Sequence, residues 1–185
     1  MNRFAVELRS AEVDGSRLAG HAVVWDSHAQ AKGHWETMAR SAFDEVLRSE
    51  PDTVALLNHN PSMILGSTRA KTLALEVDDV GLAFELDLPD TTYARDIREL
   101  VTRGDLRGCS FGFIPGADSW SRAPDGMQLR THTAVSALKD VSLVTFPAYE
   151  GTEVALRHVD FSDPPPRSAR SQMIRLRAAQ LIQGK

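Results

Sequence analysis

Cysteine is nearly absent from this chain of 185 residues, in which Cys109 is the single example. An internal disulfide is therefore excluded, and nothing in the composition marks an oxidising compartment. No apolar run approaches the roughly 18 residues that a membrane-spanning helix needs. Residues 1–15 alternate apolar and polar side chains and lack the apolar block of a signal peptide. From these absences we expect a soluble, intracellular chain, with no membrane partner.

The chain also lacks an excess of charge of one sign, since 21 basic residues are interspersed with 25 acidic ones for a net charge of −4. This balance argues against a dedicated nucleic-acid-binding protein, so no specific nucleic-acid partner is expected. The 6 histidines show no paired spacing typical of a zinc site, and no second cysteine is available as a ligand. We therefore expect neither a metal ion nor a cofactor.

What the chain does have is a succession of short segments in which apolar and polar residues alternate, a pattern typical of β-strands. Turn sequences containing Asp and Gly join several of these segments, and two other segments have the apolar spacing of a helix. The predicted hairpins cover residues 4–26, 71–89 and 118–148, a strand running into a loop covers 53–61, and the predicted helices cover 35–50 and 91–105. Ser41 is an alternative N-cap for a shorter first helix, and Thr91 or Thr92 caps the second. We predict an α+β fold, a mostly antiparallel β-barrel surrounded by a few helices.

The composition changes after about residue 158. The segment FSDPPPRSARS is typical of a linker, since it is rich in proline, serine and arginine and cannot build a core, and the pattern of MIRLRAAQLIQ predicts a short amphipathic helix after it. We therefore divide the chain into a domain at 1–158 and an appendage at 159–185.

Two candidate nucleophiles are adjacent, Cys109 and Ser110, within a predicted strand. Strand alternation places Cys109 on one face with Phe111 and Phe113, and Ser110 on the other face with Gly112. A thiol among phenylalanines is a core group, whereas a hydroxyl beside a glycine leaves room for a peptide backbone. The pattern favours Ser110, although a serine that merely tolerates a close strand contact fits it equally well.

Serine hydrolysis requires an imidazole base and a group that orients it. His59 ends the apolar segment VALLNH just before Pro61, a place typical of active-site groups, and also of a histidine that bonds loop backbone. Asp140 interrupts an apolar strand and needs a partner there, either an imidazole or a nearby cation. His132 is the rival orienting group.

These residues lie in a pattern that resembles the prohead proteases of tailed bacteriophages. The similar segments include LAGHAVVWDS, WETMARSAFDEVL, the stretch from LLNHNPSMILGS to RGDLRGCSFGF, and ALKDVSLVTFPAYEGTEVAL. Together they cover roughly residues 4–157, in the order that the family has them. The resemblance implies a fold related to the herpesvirus assembly proteases, which is a β-barrel surrounded by helices.

The resemblance also implies an activity and its residues. His59 takes the place of the base, Ser110 that of the nucleophile, and Asp140 that of the family's acidic residue. His132 stays open as the third member, because the herpesvirus enzymes use a second histidine there. Cys109 stands where methionine is common and Ser41 where glycine is usual, and neither departure touches the chemistry.

The implied enzyme is a serine endopeptidase that acts inside the phage procapsid, in the cytoplasm of the bacterial host. Its gene belongs to a phage or to a prophage. Its expected partners are the major capsid protein or a scaffold protein as substrate, the chain itself through self-processing, and a second copy in a homodimer. The alternatives are a non-catalytic assembly or scaffold protein with the same fold, an esterase, and a cysteine protease using Cys109.

Overall fold

The computed structural model of the chain describes residues 2–7, 12–14, 16–31 and 33–145. The predicted appendage at 159–185, and the end of the predicted domain before it, lie outside these residues. In chain order the elements are β1 (Asn2–Glu7), β2 (Glu12–Asp14), β3 (Arg17–Val24), β4 (Ala29–Ala31), β5 (His34–Met38), α1 (Asp44–Arg48), β6 (Val54–Leu57), β7 (Asn60–Ser67), β8 (Leu73–Val77), β9 (Gly81–Asp87), α2 (Thr92–Thr102), β10 (Gly108–Arg122) and β11 (Gln128–Val144). The described part of the chain contains no helix with the length and hydropathy needed to cross a bilayer.

A 7-stranded sheet is organised around the long strand β11. One edge of β11 pairs antiparallel with β10, which pairs in turn with β1. The other edge pairs in parallel with two strands in succession, first β5 and then β6. β4 and β7 extend the sheet beyond β5 and β6, respectively. β11 therefore connects segments from both halves of the chain.

The remaining strands form a 4-stranded antiparallel sheet in the order β2-β3-β9-β8. The predicted hairpin at 71–89 is confirmed, since β8 and β9 pair across the turn before Gly81. Helix α2 begins after Thr91, whose side chain accepts a hydrogen bond from the Ala94 N–H, and the chain leaves it near Gly104, where φ is 78°. Both ends of α2 therefore have the capping residues that the sequence predicts.

The core is one contiguous cluster of buried apolar side chains from both sheets and both helices. Phe43, Phe111 and Phe113 are fully buried in it, with ring centroids 5.8 Å apart for the first pair and 5.3 Å for the second. Because Phe111 and Phe113 anchor one face of β10 in this core, the opposite face of β10 carries Ser110.

The α+β class is confirmed, but the expected closed barrel is wrong for the described residues, which form two sheets with open edges. The predicted hairpin at 4–26 is also only half right. β2 and β3 pair as a hairpin, whereas β1 pairs with β10 in the other sheet. Alternation predicts which face of a strand is buried, but it carries no information on which edge it joins.

The helix expected over 35–50 is replaced by strand β5 and the short helix α1. In β5 the buried residues are Glu36 and Met38, a period of two, and the strand pairs in parallel with residues 128–132 of β11. Helix α1 is the shorter alternative, and its N-cap is Phe43, with no side-chain cap, instead of Ser41. Pairing with a distant strand overrides the local helical spacing here.

Candidate active site

Ser110 and Asp140 lie on the same face of two neighbouring strands. β10 and β11 pair antiparallel, with Ser110 opposite Ser142 and Gly112 opposite Asp140. Residues opposite each other in such a pair share a face, and so do residues two apart along one strand. Gly112 has no side chain, so the diagonal from Ser110 to Asp140 is left open for a third group.

The hairpin between β6 and β7 supplies that group. Leu57 pairs with Asn60, so that Asn58 and His59 form the turn between the strands, with φ values of 51° and 55°. Positive φ at both central residues is the signature of a type I′ turn, in which glycine is the usual second residue. The strand predicted over 53–61 therefore ends at Leu57 and turns back at once, with a histidine in the position that glycine normally takes.

Two short hydrogen bonds connect the three side chains. His59 Nδ1 lies 2.6 Å from Asp140 Oδ1, and His59 Nε2 lies 2.8 Å from Ser110 Oγ. A carboxylate oxygen only accepts, so Nδ1 carries the imidazole proton and Nε2 is left to accept the Ser110 hydroxyl proton. Ser110 is 2% exposed and Asp140 3% exposed, so these bonds form in surroundings with little water, where they are stronger.

This arrangement can activate a hydroxyl, because the base and its orienting carboxylate are aligned on one oxygen. The sequence profile described as caudovirus prohead serine protease matches residues 4–163. The chain belongs to this family.

A relative among curated proteins, the prohead protease of Enterobacteria phage HK97, is 29% identical over 121 residues. The matched region covers 64% of this chain and 52% of that protein, so the chain spans about half the length of its relative. No solved structure gives a significant match to the chain.

Ser142 is a residue of this prohead protease domain to which sequence reasoning gave no role. Its Oγ donates a hydrogen bond of 2.6 Å to Asp140 Oδ1, the same oxygen that accepts from His59, and the residue is fully buried. Strand alternation could have predicted this contact, because a serine two residues beyond Asp140 on a strand must lie on the same face.

Cys109, the rival nucleophile, faces the core of the prohead protease domain. It is fully buried beside Phe111, on the face opposite Ser110, as alternation predicts. Burial raises the pKa of the Cys109 thiol far above its usual range, and the nearby Asp140 carboxylate adds to this. The thiol is therefore kept protonated and unreactive.

His132, the rival orienting group, lies elsewhere in the sheet. It is on the part of β11 that pairs with β5, whereas Asp140 is on the part that pairs with β6. Its ring is fully buried edge-on to Phe113, and its Nε2 is 3.7 Å from Glu36 Oε1. Burial lowers the pKa of His132 from its usual value, despite the opposing effect of Glu36. The structure therefore brings Asp140, and not His132, to His59.

Proposed function

We propose that this member of the prohead protease family is a serine endopeptidase, with Ser110 as nucleophile, His59 as general base and Asp140 as the group that orients the imidazole. The observation that carries the proposal is a pair of hydrogen bonds at one imidazole: Nδ1 donates to Asp140 at 2.6 Å, and Nε2 accepts from Ser110 Oγ at 2.8 Å. Family membership supports the same chemistry independently of this geometry.

In the proposed reaction His59 Nε2 takes the Ser110 hydroxyl proton while Oγ attacks the carbonyl carbon of the scissile peptide bond. The imidazolium that forms is stabilised by Asp140, and it then gives its proton to the leaving amine as the C–N bond breaks. A water molecule, deprotonated by the same imidazole, hydrolyses the acyl-enzyme and restores Ser110.

The proposed substrates are proteins of the prohead, since the family is described by that assembly and a relative is named a prohead protease. We include the major capsid protein, a separate scaffold protein and the chain itself, cleaved within the procapsid in the bacterial cell. We also propose that the fold is related to that of the herpesvirus assembly proteases and that the chain forms a homodimer. A crystal structure of the full chain tests the first proposal, and its molecular mass in solution tests the second.

The test is co-expression of the chain with the capsid or scaffold protein, followed by electrophoresis and mass spectrometry of the products. We expect wild-type chain and Cys109→Ala to shorten the substrate, and Ser110→Ala to leave it at full length. Shortening by Ser110→Ala would overturn the mechanism, and loss of shortening in Cys109→Ala alone would favour the thiol. If the wild-type chain assembles with the substrate but never cleaves it, the non-catalytic scaffold protein is the better description.

A further inference from the structure

The turn that carries His59 is bonded to the far end of β11. The backbone N–H of Asn58 donates to the Leu143 carbonyl at 2.8 Å, which continues the pairing of β6 with β11. The Asn58 side chain extends this pairing by two more hydrogen bonds. Its Oδ1 accepts from the Thr145 N–H at 3.0 Å, and its Nδ2 donates to Thr145 Oγ1 at 3.3 Å. One asparagine thus ties the turn to the strand that carries Asp140.

The backbone of this turn needs such support. His59 has φ of 55°, a conformation that residues with a Cβ adopt only at a cost, and Asn58 has φ of 51°. Asparagine tolerates this region because its short side chain can bond locally, and histidine, although commoner there than most residues, still bears the steric cost of its Cβ. Strained residues of this kind persist when contacts around them hold the conformation in place.

The proposed reaction also requires that the turn be held in place. The imidazole reaches two partners on two different strands, Ser110 on β10 and Asp140 on β11, at 2.8 Å and 2.6 Å. The position of the turn sets both distances, so a displacement of the turn changes both. Displacements of about 1 Å at reacting groups can cost on the order of 100-fold in rate.

We propose that Asn58 and Thr145 form a clamp that positions His59 for proton transfer. In this proposal they are positioning residues that act through His59. The inference rests on the proposed function, because it assigns a purpose to holding His59 only if His59 is the base.

The clamp is tested with a fluorophosphonate probe on the full chain, which requires no knowledge of the natural substrate. Ser110 Oγ attacks the phosphorus of the probe, the P–O bond forms as the P–F bond breaks, fluoride leaves, and the hydroxyl proton passes to His59. The dependence of the labelling rate on probe concentration separates the limiting rate of inactivation from the affinity for the probe. If Asn58 only stabilised the fold, its loss would not selectively lower the limiting rate of inactivation while leaving the affinity for the probe unchanged.

The informative variant is Asn58→Gly, because glycine is favoured at positive φ and adds no strain at position 58 while removing the side-chain contacts. We expect the limiting labelling rate to fall about tenfold or more, with the probe affinity and the melting temperature unchanged. Asn58→Asp keeps the oxygen that accepts from Thr145 and should recover most of the rate. Asn60→Ala is the matched control, since the side chain of Asn60 accepts from Ser62 within β7.

Wild-type labelling by Asn58→Gly overturns the clamp. So does a loss of rate that accompanies a lowered melting temperature and is not recovered by Asn58→Asp. Failure of the proposed function gives a different result, in which Ser110→Ala is labelled as fast as the wild-type chain.

Discussion

At the scale of single residues, Asp140 is distinguished by two hydrogen bonds that end on the same carboxylate oxygen. One comes from His59 Nδ1 and the other from Ser142 Oγ, each at 2.6 Å. Hydrogen bonds to a charged group are stronger than neutral ones, and in a buried site they also fix its rotamer. Ser142 therefore sets the direction in which the carboxylate meets the imidazole.

Loss of the Ser142 hydroxyl should accordingly weaken both catalysis and stability. For Ser142→Ala we expect the rate of cleavage or of Ser110 labelling to fall about tenfold, and the free energy of unfolding to fall by about 1.5–3 kcal/mol, the range for a hydrogen bond to a charged group. Labelling kinetics and urea denaturation measure the two quantities. Ser136→Ala on the same strand is the control, because its hydroxyl donates to the Pro115 carbonyl at an exposed position. An unchanged rate in Ser142→Ala would contradict this role.

At the scale of the elements, the β6–β7 hairpin combines a tight turn with a residue that does not favour it. Some other positions with positive φ hold glycine, such as Gly104 with 78° and Gly126 with 86°, whereas Asp26, Glu50 and Lys71 adopt positive φ with a side chain. Position 59 has the same requirement and holds histidine. The imidazole is thus retained at the expense of turn stability, a trade-off common at functional sites.

A pair of variants measures this backbone cost. Both His59→Gly and His59→Ala lose the imidazole, so they differ only in the Cβ at positive φ. We expect His59→Gly to be more stable by about 1 kcal/mol, from the left-handed penalty of a Cβ, as measured by urea denaturation. At the exposed helical position Asp96 the order should reverse, since alanine is favoured over glycine in helices. Equal stability of the two variants at position 59 would mean that the turn is not strained.

Helix α2 and strand β5 differ in how far the sequence could predict them. Helix α2 was predictable because its signals are local: Thr91 bonds the N–H three residues on, and Gly104 follows its last turn. β5 was not, because residues 34–38 become a strand only by pairing with residues 128–132. No pattern inside a short segment reports a partner so far along the chain.

For the site, alternation alone distinguished Ser110 from Cys109, since the two faces of β10 differ in composition. The resemblance, and not the spacing, favoured Asp140 over His132. The turn at Asn58–His59 was missed because histidine is not a turn signal, so its positive φ became visible only in three dimensions.

At the scale of the whole molecule, the buried His132 makes stability depend on pH. It is surrounded by Glu36, Arg130 and Asp118, and burial lowers its pKa. The unfolded chain therefore binds a proton that the folded chain does not, in the window between the lowered pKa and the usual value of about 6.5. The stabilising contribution is complete above this window and is lost as the pH falls through it.

We expect the free energy of unfolding to decrease as the pH falls below about 6.5, and to decrease less steeply in His132→Gln, which cannot take up the proton. Urea denaturation at a series of pH values measures both slopes. Parallel curves for the two proteins would show that another group is responsible. Labelling of Ser110 at neutral pH is the control for an intact site.

The order of the strands determines when the proposed site can first assemble. His59 and Ser110 are separated by 51 residues and His59 and Asp140 by 81, so the site consists of contacts distant along the chain. Asp140 is the last of the three to be synthesised, and it reaches His59 only once β11 has emerged from the ribosome. Folds dominated by such distant contacts also fold slowly, on a scale of about milliseconds to seconds. A nascent chain therefore cannot bring His59, Ser110 and Asp140 together, and the proposed site is complete only after β11 has been translated.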